Sequence, residues 1–294
     1  MSFLFVDRIL RMDEGVFIQG IKQVTFSDLF LCPSLKNSKQ QLMPSVIGET
    51  LGQLGAWCAM HAYGFRLRPV AGVVSAVHIH GEACVGDAIL LETTIDALDE
   101  TAVEYHSVAT VCGTPIFSIE SALGPMLPMD DFIDPMEAKM QFHQIYRPGE
   151  WDDSSVSVGA GFVSSQPWII PTWVNFDTIL ESHLGEKIVA QKSVSLSAEY
   201  LRDHFPRKPV LPLTILLQAK LQLTASFLAN SFSDGAEFKP VTIRKIKMSG
   251  FVQPGDSIIT TIALKEKTES EIIVTYRTEM QGKRVCMAEA LFRK

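Results

Sequence analysis

Apolar and polar residues change rhythm twice along this chain, and both cycles follow the same order. Phe3 to Arg11 mixes apolar and charged residues, a turn follows at Asp13-Glu14-Gly15, and Gly15 to Phe26 alternates with the period of two expected of a half-buried strand. Residues 27–43 contain Pro33, Ser34, Asn37, Ser38 and two lysines and read as an irregular loop, closed by Pro44. From Ser45 to Tyr63 the apolar residues Val46, Ile47, Leu51, Leu54, Trp57 and Cys58 are interleaved with small Gly48, Gly52, Gly55 and Ala59. That pattern predicts a helix enclosed on most sides, with Trp57 and Cys58 in the core and Glu49 as the only charge. Four β-leaning runs come next, Val73 to His80, Ala88 to Ile95, Ala102 to Val111 and Pro115 to Leu123, divided by Gly-Asp and Cys-Gly turn signals.

The second cycle pivots on Asp203-His204-Phe205-Pro206-Arg207-Lys208-Pro209-Val210-Leu211-Pro212, which leads into the apolar stretch Leu213 to Leu228. Each proline fixes φ, lacks an N–H and restricts the residue before it, so a helix can begin only after Pro212. One histidine is thus presented on a stiff loop that feeds a long helix. Self-similarity between the cycles is explicit. At an offset of 170, Asp7, Ile9, Leu10, Gly15, Ile18, Lys22 and Val24 meet Asp177, Ile179, Leu180, Gly185, Ile188, Lys192 and Val194. At 169, Gln53, Gly81, Gly86, Asp87, Gly113 and Glu120 meet Gln222, Gly250, Gly255, Asp256, Gly282 and Glu289. A duplication explains identities held in two registers. It divides the chain into a first domain, 1–125, a connection, 126–166, and a second domain, 167–294. The connection is long for a loop inside a compact domain. A short helix is expected near Pro135 to His143, and Pro167 to Trp173 should open the packed part of the second copy.

Composition adds exclusions. A chain of 294 residues with 47% hydrophobic and 20% charged residues can bury a full core, and a net charge of −7 favours neither disorder nor nucleic-acid binding. No run reaches membrane-spanning length, and the apolar start is too short for a signal peptide. The cysteines, Cys32, Cys58, Cys84, Cys112 and Cys286, are odd in number without C-x-x-C spacing, which argues against a zinc ribbon or a disulfide framework and for a reducing cytoplasm. His78 and His80 share one strand face but lack a third ligand, so no metal is expected.

The segment His204-Phe-Pro-Arg-Lys-Pro-Val-Leu-Pro212 resembles the hotdog-fold (3R)-hydroxyacyl-acyl-carrier-protein dehydratases of bacterial fatty acid synthesis. Phe5-Val6-Asp7-Arg8-Ile9, Glu49-Thr-Leu-Gly-Gln53 and Val252-Gln-Pro-Gly-Asp256 add to it. The resemblance implies an α+β double hotdog: two copies of a curved antiparallel β-sheet wrapped around a central helix, with the sheets joined into one. It also implies a site shared between copies, a loop histidine of one serving with a helical acid of the other. Copy two holds His204 but has Gln218 at the acid position; copy one holds Glu49 but has Leu31 where the histidine belongs. One composite site, His204 with Glu49, is therefore expected, and its counterpart is dead.

Dehydration needs a base at the carbon beside the carbonyl, an acid for the departing hydroxyl and donors for the enolate oxygen. Imidazole titrates near neutrality and suits the first role; a carboxyl in apolar surroundings suits the second. Helix starts after Pro44 and Pro212 suit the third. Substrate contacts are expected from Pro212, Leu213, Pro44, Ser45 and Gln53, with Gln53 and Gln222 holding loop backbone. Arg202, Arg207, Lys208, Arg244, Lys245 and Lys247 form a basic rim suited to an acidic carrier protein. The implied partner is acyl carrier protein or an acyl-CoA thioester, with no cofactor, nucleic acid or membrane, and the chain is a monomeric pseudo-dimer or a building block of larger assemblies. Arg207, Ser45 and Leu213 stand where the family has glycine, and the order of histidine and acid is the reverse of tandem polyketide dehydratase domains. Two other readings remain: an inactive partner subunit that binds acyl chains or scaffolds a synthase, and an acyl thioesterase.

Overall fold

The computed structural model describes residues 3–34, 39–151 and 174–294. Its strands are β1 (Arg8–Asp13), β2 (Phe17–Gln23), β3 (Leu31–Pro33), β4 (Gln40–Leu42), β5 (Leu67–Pro69), β6 (Val73–Ile79), β7 (Ala88–Leu98), β8 (Ala102–Val111), β9 (Thr114–Pro128), β10 (Thr178–His183), β11 (Lys187–Ser193), β12 (Lys239–Met248), β13 (Ser257–Lys267), β14 (Glu271–Met280) and β15 (Lys283–Arg293). The α-helices are α1 (Pro44–Ala62), α2 (Pro135–Ile145) and α3 (Leu213–Ser231). They fall into two compact units, one of residues 4–70 and 80–151, the other of Phe3, 71–79 and 174–294.

In the first unit the strand order is β1-β2-β7-β8-β9, with β5 on β9, and α1 packs against β2, β5, β7, β8 and β9. In the second it is β6-β12-β15-β14-β13-β11-β10. Strand β6, from the first half of the sequence, pairs antiparallel with β12, Val77 opposite Ile243.

Strand register proves the duplication residue by residue. Arg8 faces Ile21, and Thr178 faces Gln191; Phe17 faces Thr94, and Lys187 faces Ala263; Leu91 faces Ala109, and Thr260 faces Thr278. Even the irregularities repeat: β1 bulges between Ile9 and Arg11, β10 between Ile179 and Glu181. Strand ends are clamped alike, since Asp7 accepts from the Gln23 N–H and Asp177 from the Ser193 N–H, each at 2.6 Å. Asp87 and Asp256 accept from the N–H three residues back, and Gly86 and Gly255 before them have φ of 101° and 94°, a region closed to most side chains. These turns require glycine, which is why they survive in both copies.

Helix α1 begins at Pro44, where a missing N–H costs nothing, and its small residues meet the sheet. A Cβ on Gly48 would lie 3.2 Å from the Phe117 ring, and one on Gly55 3.1 Å from the Thr93 methyl. Helix α2 matches the expected position, with the Asp134 side chain capping the Met136 N–H.

Two expectations need correction. Within 27–43, β3 and β4 form a small hairpin, Leu31 opposite Leu42, because the apolar ends of that polar stretch are buried together. Strand β9 runs past the expected end at Leu123 to Pro128, where Leu67 faces Pro128 and Pro69 faces Met126. The expected segment Pro167 to Trp173 lies outside the described residues.

Candidate active site

Each unit carries one cluster of the expected residues. In the second unit, the 3₁₀ turn Glu199–Leu201 delivers the chain into the proline-rich loop. The loop is pinned by its own backbone: Val210 N–H donates to the His204 carbonyl at 2.9 Å, Phe205 and Lys208 exchange bonds of 3.2 and 3.1 Å, and Leu211 N–H reaches the Val252 carbonyl at 2.8 Å. That last bond ties the His-Phe-Pro loop to the Val252-Gln-Pro-Gly-Asp256 turn. The His204–Phe205 peptide is cis.

The imidazole is held from three sides. Nδ1 lies 3.1 Å from the Val210 carbonyl oxygen, so in the neutral ring Nδ1 donates and Nε2 is the basic nitrogen. Phe205 stacks on the ring at 4.1 Å between centroids, and Phe3 meets it edge-on at 5.4 Å. Asp203 fixes Phe3 by accepting from its N–H at 2.8 Å. Pro212 caps α3 and is buried, and Leu213, the first helical residue, is half-buried. Gln218 is buried one and a half turns further along.

In the first unit, Pro44 and buried Ser45 open α1, and Glu49 and Gln53 follow on one face four residues apart. Gln53 Nε2 donates to Glu49 Oε1 at 3.0 Å, and Gln53 Oε1 accepts from the Phe5 N–H at 2.9 Å. Gln53 thus holds backbone as expected and steadies the acid as well. Gln222 does not match it: its buried amide atoms have no hydrogen-bond partner among the described residues. Leu31, at the position of His204, is buried in β3, and burial pushes the neighbouring Cys32 thiol up to about 12.

Sequence reasoning missed two residues beside Glu49. Burial pushes the Arg68 guanidinium down to about 9, while the Glu49 charge pulls it back. Tyr105 is held well above the usual phenol range by burial and by the same carboxylate. Neither carries a local signal; β5 and β8 bring them to α1.

The basic rim divides. Arg202 and Arg207 are exposed beside His204. Lys208 instead lies over the Phe251 ring, 4.3 Å from its centroid. Arg244 and Lys245 donate to Glu289, each at 3.1 Å. Lys247 is exposed and lines a cavity of about 210 Å³ with Ser249, Arg284, Cys286 and Met287. His78 and His80 part company, the first 3.2 Å from the Thr242 hydroxyl and the second 2.9 Å from that of Ser118.

Comparison with known proteins gives the chain a family. The FabA-like domain family matches residues 174–289, the stretch around the proline-rich loop and α3. The 3-hydroxyacyl-[acyl-carrier-protein] dehydratase FabZ of Ligilactobacillus salivarius is 31% identical over 121 residues, spanning 40% of this chain and 84% of that protein. The chain belongs to the 3-hydroxyacyl-acyl-carrier-protein dehydratase family.

As a member of that dehydratase family it is a tandem form. The dehydratase domain of PpsC from Mycobacterium tuberculosis, solved in complex with C12:1-CoA, aligns over 100% of this chain and 99% of that one, with a TM-score of 0.56 and 11% identity. An oleoyl thioesterase (putative) from Lactobacillus plantarum aligns over 95% and 96%, with a TM-score of 0.56 and 9% identity. At such identities the likeness is one of fold, the double hotdog, which hosts more than one chemistry.

Proposed function

We propose that this dehydratase-family chain converts a (3R)-hydroxyacyl thioester, carried on acyl carrier protein, to the trans-2-enoyl thioester in fatty acid or polyketide-type synthesis. His204 is the base and Glu49 the acid of one composite site, with residues 167–294 supplying the first and 1–125 the second. The observation that carries this reading is complementary loss: His204 with Gln218 in one copy, Glu49 with Leu31 in the other. Random decay would more often remove both groups of a site.

The Nε2 atom of His204 takes the proton from the carbon beside the thioester carbonyl. Negative charge moves onto the carbonyl oxygen, where first-turn N–H groups at a helix start stabilise it; neither α1 nor α3 has a side-chain cap competing there. As the enolate collapses, the C3–O bond breaks, Glu49 delivers a proton, and water leaves. Gln53 supports this role by aiming the carboxyl, and the Val210 carbonyl by fixing the imidazole tautomer. Pro44, Ser45, Pro212 and Leu213 form the apolar approach, and exposed Arg202 and Arg207 receive the acidic carrier.

The test is turnover of 3-hydroxyacyl thioesters of several lengths on carrier protein, followed by mass spectrometry. The wild type should lose water from its substrate. His204→Ala and Glu49→Gln should each fall by about 10²-fold or more while remaining folded, and Gln218→Ala should keep most of its rate. Full activity in both of the first two variants overturns the site. Release of free thiol instead of an enoyl product makes the chain a thioesterase, and an inert wild type makes it a non-catalytic partner subunit.

A further inference from the structure

Lys220 lies at the middle of α3 and is 0% exposed. The other two buried lysines have oxygen partners: Lys22 meets Asp28 at 2.7 Å, and Lys192 meets the Asn175 carbonyl at 2.8 Å. Lys220 Nζ instead donates to the Cys286 thiol at 3.2 Å and sits 5.7 Å from the centroid of the Tyr276 ring. The Tyr276 hydroxyl in turn pairs with Thr224 at 3.0 Å. No ion pair among the described residues involves Lys220.

The duplication supplies a control inside the same molecule. At the 169 offset, Lys220 and Cys286 correspond to Leu51 and Phe117, and Thr224 corresponds to Gly55. The fold therefore packs this place with apolar groups when nothing else is asked of it. A buried amine and a buried thiol carry desolvation costs that Leu51 and Phe117 avoid, so stability alone does not account for their joint presence. A cavity of about 210 Å³ between β12 and β15, ample for a molecule the size of water or peroxide, is lined in part by Cys286, which is itself 1% exposed.

We propose that Lys220 and Cys286 form a covalent modification site, a nitrogen–sulfur crosslink made when hydrogen peroxide reaches the thiol. Peroxide oxidises the thiol by two electrons: one oxygen forms the sulfenic acid S–O bond, and the O–O bond breaks with release of water. The Lys220 amine nitrogen then attacks sulfur. The N–S bond forms, the S–O bond breaks, and hydroxide leaves as a second water with a proton from the amine. Two external thiols reverse the reaction, yielding amine, thiol and a disulfide. The link fastens α3 to β15 and stiffens the helix that starts beside the His204 loop.

The experiment uses the full chain with Cys112→Ser, which removes the exposed thiol that would otherwise react first. After exposure to hydrogen peroxide and digestion with trypsin without reductant, peptides bearing Lys220 and Cys286 should appear joined, lighter by two hydrogens, with no cleavage at Lys220. The joined pair should vanish on dithiothreitol treatment and be absent from Cys286→Ser and Lys220→Met. Both substitutions are close to isosteric, and if either fails to fold the wild-type mass and its reversal still decide. Oxidation of Cys286 to sulfinic acid with normal cleavage at Lys220, an untouched Cys286, or a joined pair that retains an oxygen each overturns the proposal.

Discussion

Glu289, on β15, accepts from Lys265 at 2.8 Å and from Arg244 and Lys245 at 3.1 Å each. The Lys265 bond leads in holding its carboxyl down to about 2, against the opposing effect of burial. A carboxylate depressed in the folded state contributes stability above its unfolded value, near 4.3, and loses that contribution as pH falls toward 2. Glu289→Gln should therefore destabilise the chain near neutrality and flatten its acid-unfolding curve between about pH 4.5 and 2, with the two proteins converging below. Urea midpoints measured across that range check this, and salt should narrow the gap. Two cations that the sequence suggested for a carrier protein are thus engaged by an acid more than forty positions away, a pairing that spacing cannot reveal. The hold of Gln53 on loop backbone was read from the sequence, whereas its bond to Glu49, four residues back on the same helix, came only with the structure. So did Arg68 and Tyr105 beside Glu49.

Both core helices begin where proline allows, so their starts could be read from single residues. What surrounds them required the sheet. Gly48 of α1 faces Phe117 of β9, whereas the equivalent places in the other copy hold Leu217 and Cys286, so the two copies exchange bulk between helix and strand. Gly48→Leu should cost about 1–3 kcal/mol, because the added atoms meet a ring already at contact distance. Adding Phe117→Cys should recover part of that loss, a non-additivity readable as a double-mutant cycle in urea. The hairpin of β3 and β4 went unread because three-residue strands offer too little alternation to register. Strand β9 was read only as far as Leu123, and its last residues show their pairing once β5 is seen beside them.

For the whole molecule, a net charge of −7 makes the exposed pair Arg202 and Arg207 a local exception beside His204. Reversing both to glutamate should raise KM for a substrate on acidic carrier protein severalfold and leave KM for a short pantetheine thioester nearly unchanged. Added salt should raise the wild-type KM on carrier protein in the same way. An equal loss on both substrates would place these arginines in folding or chemistry instead of docking. The sequence by itself determined the duplication, the two helix starts, the glycine turns and the division of His204 and Glu49 between copies. Those features depend on φ limits, hydrophobic period and offset, all properties of neighbours along one chain. Only the tertiary structure decided the company each side chain keeps: three cations on Glu289, Arg68 near Glu49, Lys220 against Cys286. Such contacts join residues distant along the chain and exist only once strand register and helix packing have brought them within reach.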